Sequence, residues 1–274
     1  MSASSPPSSR GTALVTGASS GIGKVYAQKL ARRGYDLVLV ARNRSRLDEL
    51  AAAITTETGR TVDVMPADLS KAEDVATVAA RLVDDPAITL LVNNAGSGTE
   101  GPIVGADPAK IDAMLDLNVR ALTRLAVAAV NAFSARGRGT LVNIASVVAL
   151  VPERFPGAYA ATKAYVLALT QSLVAELDGG PVRLQAVMPG LTRTEFFDRA
   201  GLDINALPAH MLMAPEDLVE AALRGLEAGE IYTIPSLPDV SGWDELTASR
   251  MKLAPDLSHS KPAVRYGTGD MAGG

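Results

Sequence analysis

The sequence predicts a single-domain α/β fold, in which a doubly wound parallel sheet of seven strands has helices on both faces. Short runs rich in Val, Leu and Ile recur along the chain, and longer segments with helical spacing lie between them. The short runs are apolar almost throughout, which is typical of parallel strands that are covered on both faces. The chain has 274 residues, and folds of this class often reach roughly 250 residues as one domain.

The predicted strands and helices alternate, as crossover connections require. The strands are expected at 12–16, 36–41, 62–65, 90–93, 140–145, 183–188 and 231–234. The helices are expected at 21–33, 44–56, 72–83, 108–135, 157–177 and 215–226. Doubly wound folds bind ligands beyond the carboxyl ends of their strands, so the residues that follow each strand are the candidates for a functional site.

The two ends of the chain differ in composition from this body. Residues 1–10 are rich in Ser and Pro and lack the apolar stretch of a signal peptide. We therefore expect a disordered leader there, followed by the α/β domain over 11–240. Residues 241–274 contain several Pro, Gly and Ser residues and are expected to form a C-terminal extension.

The segment 194–214 lies between a predicted strand and a predicted helix, where loops often contribute to function. We interpret it as a cover over a substrate site, with an ordinary packed connection as the alternative. Its large apolar side chains are Phe196, Phe197, Met211 and Met213. A hydrophobic substrate is one interpretation of these side chains, and core packing is the other.

Composition and charge exclude several classes of function. The formal net charge of -4 and the isoelectric point near 5.3 give no basic surface for nucleic acid or anionic lipid. The absence of Cys excludes disulfides, zinc–thiolate sites and thiol nucleophiles, and the cytoplasm is the default location. Apolar runs are too short for a membrane helix. His210 and His259 lie outside any cluster with ligand spacing, so no metal is expected.

A glycine-rich turn joins the first predicted strand to the first predicted helix, within the sequence Thr16-Gly17-Ala18-Ser19-Ser20-Gly21-Ile22-Gly23. A helix start offers unpaired N–H groups and the positive end of its dipole, and glycines let a pyrophosphate approach the backbone. The residues expected to bind a dinucleotide here are Gly17, Ser19, Ser20, Gly21, Ile22 and Gly23. The spacing departs from G-x-G-x-x-G, and a plain strand-to-helix turn is the alternative.

The end of the second strand indicates which dinucleotide is bound. Sites for NAD usually have an acidic residue about 20 residues beyond the glycines, whereas this chain has Ala41 followed by Arg42. A guanidinium pairs with the 2′-phosphate of NADP in a bidentate manner. Arg42 therefore favours NADP(H) over NAD(H), with Arg44 as an alternative for the same role and a solvated charge run as the competing interpretation.

Tyr159 and Lys163 are four residues apart within a predicted helix, so they share one face. A free tyrosine has a pKa near 10 and is a poor base at neutral pH, but a neighbouring cation favours the phenolate. Ser146 follows the fifth predicted strand, where its hydroxyl would hold a substrate oxygen beside the tyrosine. Taken singly, each residue is more typical of a surface, a helix cap or a packing contact.

Taken together, these residues resemble the classical short-chain dehydrogenase/reductase family over roughly residues 11–233, which implies a Rossmann fold. The motifs recur in the family's order. They are T-G-x-x-x-G-I-G at Thr16–Gly23, Asp68 after the third strand, N-N-A-G at Asn93–Gly96, Asn118, Ser146, Tyr159, Lys163, and Pro189-Gly190 with Thr192 and Thr194.

The resemblance implies a role for each matching residue. The implied catalytic tetrad is Asn118, Ser146, Tyr159 and Lys163, in which the tyrosine exchanges the proton and the serine orients the substrate oxygen. The lysine binds the nicotinamide ribose and lowers the pKa of the tyrosine, and the asparagine holds a water of a proton relay. The implied cofactor contacts, beyond the glycine-rich turn, Arg42, Tyr159 and Lys163, are Asp68, Leu69, Asn94, Ala95, Gly96, Pro189, Gly190, Thr192 and Thr194.

The expected function is NADP(H)-dependent hydride transfer between nicotinamide and a small-molecule carbonyl or secondary alcohol, with Tyr159 as the acid or base. A non-catalytic NADP-binding regulatory protein of the same fold is the alternative. Epimerase or dehydratase chemistry shares Y-x-x-x-K, but those relatives usually have a different glycine spacing and a larger C-terminal domain. The resemblance also implies a homodimer or homotetramer, and neither nucleic acid nor membrane is expected as a partner.

Overall fold

The structure is a computed structural model that describes residues 10–98, 101–155, 157–196, 203–204 and 207–267. The chain divides into two compact units, Met1–Pro235 and Ser236–Gly274. The expected extension from residue 241 falls within the second unit. Residues 1–9 of the expected leader, Phe197 and part of the segment 194–214 lie outside the described residues.

The first unit is built on a parallel sheet of seven strands in the order β3-β2-β1-β4-β5-β6-β7. The strands are β1 (Thr12–Thr16), β2 (Asp36–Ala41), β3 (Val62–Pro66), β4 (Ile88–Asn93), β5 (Gly139–Ile144), β6 (Val182–Val187) and β7 (Tyr232–Thr233). The predicted doubly wound fold is confirmed. The strand order reverses between β1 and β4, and such a switch point leaves a crevice at the carboxyl ends of the strands.

The helices of the first unit connect successive strands. They are α1 (Gly21–Arg32), α2 (Arg44–Thr58), α3 (Ala72–Asp84), α4 (Pro108–Leu115), α5 (Leu122–Ala135), α6 (Ala158–Glu176) and α7 (Pro215–Ala228). Their ends follow local signals in the sequence. The side chain of Asn43 caps α2 by accepting a hydrogen bond from the amide of Arg46, and α2 ends at Gly59 with a φ of 67°.

The apolar strands form a core on each side of the sheet, because successive residues of a strand point to opposite faces. In β1, Ala13 and Val15 pack on the side of α1, α2 and α7, whereas Leu14 packs on the side of α3, α5 and α6. All three side chains are completely buried. This two-sided burial explains the nearly continuous apolar runs that predicted a parallel sheet.

Two helical regions differ from the prediction. The expected helix 108–135 contains a π-helical segment, Asp116–Ala121, between α4 and α5, and such wide turns are frequent at functional sites. In the second unit, the region without a clear pattern forms a helix, α8 (Ser241–Met251). Trp243 is its buried residue.

The described part of the segment 194–214 divides into exposed and packed residues. Residues 209–211 form a short 3-10 turn, where Met211 is exposed. Met213 packs against the core, and its amide donates a hydrogen bond to the carbonyl of Leu191 at 2.9 Å. Met213 itself therefore agrees with the alternative interpretation of this segment, an ordinary packed connection, and the cover over a substrate site stays a prediction.

Helices α1 and α7 are joined by a charged cluster around Glu220. Its carboxylate accepts hydrogen bonds from Lys29 at 2.9 Å, Arg33 at 3.2 Å and Arg224 at 3.1 Å. These hydrogen bonds lower the pKa of Glu220 from 4.5 to about 2. Since the folded state favours the ionised carboxylate, the cluster stabilises the fold above pH 4.5, and this contribution is lost as the pH falls towards 2.

We predict that Glu220→Gln lowers the free energy of unfolding at pH 7 by about 1–2 kcal/mol, because three cations lose their charged partner. Urea unfolding measured between pH 7 and pH 2 checks this, and the difference from the wild type should shrink as the pH approaches 2. The matched control is Glu216→Gln on the same helix, where Glu216 forms no ion pair within the described residues. A difference that is independent of pH would contradict the assignment.

Candidate active site

The glycine-rich turn lies at the carboxyl end of β1 and leads directly into α1. Gly17 and Gly21 have φ angles of 66° and 52°, in the left-handed region that favours glycine. A Cβ atom on Gly23 would lie 2.5 Å from Nδ2 of Asn94. The turn is therefore pressed against the end of β4, and glycine is required for that approach.

Hydrogen bonds between β1 and β4 fix this turn at the switch point of the sheet. The hydroxyl of Thr16 accepts hydrogen bonds from the amides of Asn94 at 2.9 Å and Ala95 at 3.0 Å. The side chain of Asn94 donates to the carbonyl of Thr16 at 2.8 Å. The structure thus brings the N-N-A-G segment and the glycine-rich turn together.

The start of α1 is suited to a phosphate group. Ser20 is the N-cap but makes no side-chain capping hydrogen bond, and the first turn contains no acidic residue. Ser19 and Ile22 are half-buried beside it. A Cβ on Gly21 would lie 3.2 Å from Cγ2 of Thr194, so Thr194 lies next to this helix start, whose N–H groups and dipole favour an anion.

Three arginines follow β2, and the structure distinguishes between them. Arg44 pairs with Asp48 at 3.3 Å, and Arg46 pairs with Glu195 at 2.8 Å. Arg42 is exposed and forms no hydrogen bond or ion pair with any residue that the structure describes. Of the three, Arg42 therefore has its guanidinium available for a ligand.

Asp68 and Leu69, which the resemblance implies as cofactor contacts, follow β3. Asp68 accepts hydrogen bonds from the hydroxyl of Ser70 at 2.8 Å and its amide at 3.2 Å. Partial burial opposes ionisation, but these bonds and the charges of Arg42 and Lys71 lower the pKa of Asp68. Leu69 is buried. The carboxylate of Asp68 thus lies in the field of Arg42.

Asn118 lies in the π-helical segment, and its side chain connects the loop after β4 with helix α6. Its Oδ1 accepts from the amide of Ser97 at 2.9 Å, and its Nδ2 donates to the carbonyl of Ser97 at 2.8 Å. Nδ2 also donates to the hydroxyl of Thr162 at 3.1 Å, which in turn donates to the carbonyl of Tyr159 at 2.8 Å. The side-chain amide of Asn118 therefore binds Ser97, which follows N-N-A-G, and Thr162 in the first turn of α6.

Ser146, Tyr159 and Lys163 lie together at the carboxyl ends of β5 and β6. The hydroxyl of Ser146 donates to the carbonyl of Pro189 at 3.3 Å, and Ser146 acts on the phenol of Tyr159 so as to lower its pKa. The ammonium of Lys163 lies 5.8 Å from the ring centroid of Tyr159 and donates to the carbonyl of Ile144 at 2.8 Å. The expected serine, tyrosine and lysine therefore form one cluster.

Burial dominates the acid–base properties of this cluster. It raises the pKa of Tyr159, and the neighbouring hydroxyl of Ser146 opposes that effect only in part. Burial lowers the pKa of Lys163 to about 8. Desolvation of the phenolate is the largest influence on Tyr159 in the protein by itself, and the lowering of its pKa that the resemblance assigns to Lys163 stays a prediction. Tyr159 is accordingly a protonated acid at neutral pH.

The chain after β6 closes the other side of the crevice. The carbonyl of Pro189 accepts from the amide of Val147 at 3.0 Å, and the hydroxyl of Thr192 donates to the carbonyl of Gly190 at 3.0 Å. Thr192 is buried and forms a bridge with Met213. Pro189 thus lies beside Ser146 of the expected catalytic cluster. Thr194 lies beside Gly21 of the glycine-rich turn.

Sequence reasoning missed two residues of this arrangement. The backbone amide and carbonyl of Ser97 are both hydrogen-bonded to the side chain of Asn118. The hydroxyl of Thr162 accepts a hydrogen bond from Asn118 and donates one to the carbonyl of Tyr159, so it links these two residues. Thr162 is buried, and its position next to Lys163 on α6 is the signal that would have found it. Ser97 contributes its backbone, so its side chain gives no signal.

Two negative findings apply to the part of the chain that the structure describes. No group of three or more His, Asp or Glu residues there is arranged to hold a metal ion. No helix there has the length and apolar character needed to cross a membrane.

Comparison with known proteins identifies the family. The model of the short chain dehydrogenase family matches residues 11–204. The chain belongs to the short-chain dehydrogenase/reductase family. As an oxidoreductase of this family, it acts on CH-OH or C=O groups of small molecules.

Solved structures of this family are closely similar to the chain. A short-chain dehydrogenase from Sphingobium yanoikuyae in complex with NADPH is 46% identical, with a TM-score of 0.90, covering 93% of this chain and 100% of that chain. A bulky-bulky ketone specific alcohol dehydrogenase from Comamonas testosteroni is 43% identical, with a TM-score of 0.86, covering 93% of this chain and 98% of that chain.

A characterised relative of known activity is more distant. The 7β-hydroxysteroid dehydrogenase of Clostridium sardiniense is 33% identical over 214 residues, which make up 78% of this chain and 81% of that protein.

Proposed function

We propose that the protein is an NADP(H)-dependent oxidoreductase that interconverts a ketone and a secondary alcohol, with Tyr159 as the proton donor in reduction. The observation that supports this most directly is the cluster of Ser146, Tyr159 and Lys163 at the carboxyl end of the sheet, with the buried ammonium of Lys163 5.8 Å from the ring centroid of Tyr159. A hydroxyl pair of this kind binds a carbonyl oxygen and supplies its proton. The same pair accepts a proton in the reverse reaction.

The residues around the crevice fit a dinucleotide phosphate. Gly23 leaves no room for a Cβ, Gly17 and Gly21 permit the tight turn, and the start of α1 faces the opening without an acidic neighbour. The exposed Arg42, without a hydrogen-bond or ion-pair partner among the described residues, supports a pairing of its guanidinium with a 2′-phosphate. The relative from Sphingobium yanoikuyae was solved in complex with NADPH, which supports the same choice for this chain.

In the proposed reaction, NADPH supplies the hydride when it is bound. The Ser146 hydroxyl orients the carbonyl oxygen of the substrate, and Tyr159 donates its phenolic proton to the alkoxide that forms. The raised pKa of Tyr159 keeps this proton in place at neutral pH. Lys163 in its charged form stabilises the tyrosinate that remains. Asn118 positions Tyr159 through Thr162.

The names of the relatives also suggest a class of substrate. One is described as specific for bulky-bulky ketones, and another is a hydroxysteroid dehydrogenase. We propose that this chain likewise acts on a hydrophobic ketone or secondary alcohol, in agreement with the apolar segment after β6.

The role of Tyr159 as the proton donor is tested by removing its hydroxyl. Tyr159→Phe should lower kcat for ketone reduction by about 10²–10⁴-fold, because the phenolic proton is removed while the ring is kept. NADPH affinity, measured by fluorescence titration, should change little. A variant that retains full turnover would refute the role of Tyr159, and the alternative of a non-catalytic NADP-binding protein predicts no turnover even in the wild type.

The charge on Lys163 should make ketone reduction depend on pH. Lys163 has a pKa of about 8 and loses its charge as the pH rises through that value, so kcat/KM for ketone reduction should fall above pH about 8. In Lys163→Arg the side chain stays charged, and the alkaline fall should move to higher pH. Lys110→Arg, on the exposed face of α4, is the control and should leave the profile in place.

The proposed preference for NADPH over NADH is tested at Arg42. Arg42→Ala should weaken NADPH binding by about 10- to 100-fold, because a charge-assisted pair with the 2′-phosphate is lost. NADH binding should change little, since NADH lacks that phosphate. Arg44→Ala is the matched control, as Arg44 is already paired with Asp48. Equal weakening of both cofactors in Arg42→Ala, measured by titration, would contradict the assignment.

A further inference from the structure

An aromatic contact adjoins the proposed proton donor. The ring of Phe196 lies against the ring of Tyr159, with centroids 5.4 Å apart and planes tilted by 48°. Phe196 follows β6 in the chain, and its amide donates to the hydroxyl of Thr194 at 3.4 Å. The ring is therefore held from the cofactor side of the crevice and faces the catalytic tyrosine.

The same ring fits into a notch on the opposite wall of the crevice. A Cβ on Gly98 would lie 2.7 Å from Cζ of Phe196, which is closer than two carbon atoms approach without repulsion. Gly98 follows Ser97, whose amide and carbonyl are both hydrogen-bonded to Asn118. The notch is thus fixed in position by a residue that also positions Tyr159.

We propose that Phe196, seated in the notch at Gly98, is a specificity-determining wall of the substrate site, and that the protein takes carbonyl compounds with an aromatic substituent. This inference rests on the proposed function. A carbonyl that reaches the hydroxyl of Tyr159 has one of its substituents next to the Phe196 ring. An aromatic substituent gains offset or edge-to-face contact there, whereas a short alkyl group gains much less.

The contact between Phe196 and Gly98 supplies two variants that act on one wall from opposite sides. Phe196→Leu removes the aromatic surface and keeps an apolar side chain. Gly98→Ala keeps the ring but pushes it out of the notch, and the φ of Gly98 is not in the left-handed region, so alanine is compatible with the backbone. Gly242→Ala is the matched control, because no atom lies within 4 Å of its added Cβ.

The experiment measures steady-state kinetics with NADPH on two methyl ketones, acetophenone and 2-butanone. In Phe196→Leu, KM for acetophenone should rise about tenfold, while kcat and KM for 2-butanone should change less than about twofold. Gly98→Ala should reduce the preference for acetophenone in the same direction. The double variant should lose little more than Phe196→Leu alone, since both changes affect one contact. NADPH affinity should be unchanged in all variants.

Several outcomes would overturn the proposal. An equal loss of kcat/KM for both ketones would mean that Phe196 only supports Tyr159, and unchanged kinetics would mean that the ring does not contact the substrate. Strictly additive losses would exclude a shared wall. A wild type that reduces neither these ketones nor any other carbonyl would overturn the proposed function as well, whereas an active wild type with equal losses overturns the role of Phe196 alone.

Discussion

The hydrogen bonds of the Asn118 side-chain amide are the interactions on which the rest of the site depends. The amide binds both backbone polar groups of Ser97, and through Thr162 it holds the first turn of α6. The chain that leaves β4 and the helix that contains Tyr159 are therefore fixed relative to each other by one residue. The π-helical segment places this amide within the crevice, and a regular helix from 108 to 135 would present the residue at a different angle.

The sequence predicted the sheet and its helices because parallel strands are buried on both faces and leave nearly continuous apolar runs. It did not predict the π-helical segment, since one inserted residue hardly changes the spacing of apolar side chains between 108 and 135. Helix α8 was missed for a different reason. Its apolar residues do not gather on one face, and a single buried side chain, Trp243, gives no periodic signal.

The candidate site was predictable where spacing along one element determines proximity, as for Tyr159 and Lys163. It was not predictable where residues distant in sequence meet. Arg46 is paired with Glu195, 149 positions away, and such a contact gives no signal in the local sequence around the three arginines. The raised pKa of Tyr159 comes from desolvation by the whole fold, which the spacing of one neighbouring residue does not predict.

The carbonyl of Pro189 accepts hydrogen bonds from both the amide of Val147 and the hydroxyl of Ser146. Proline has no N–H, so the chain at this point contributes to the crevice only as an acceptor. The hydroxyl of Ser146 lies between this carbonyl and the amide of Val148, from which it accepts a hydrogen bond at 3.3 Å. Displacement of the end of β6 would break one of these two hydrogen bonds, so the serine hydroxyl on one side of the crevice is coupled to the backbone on the other.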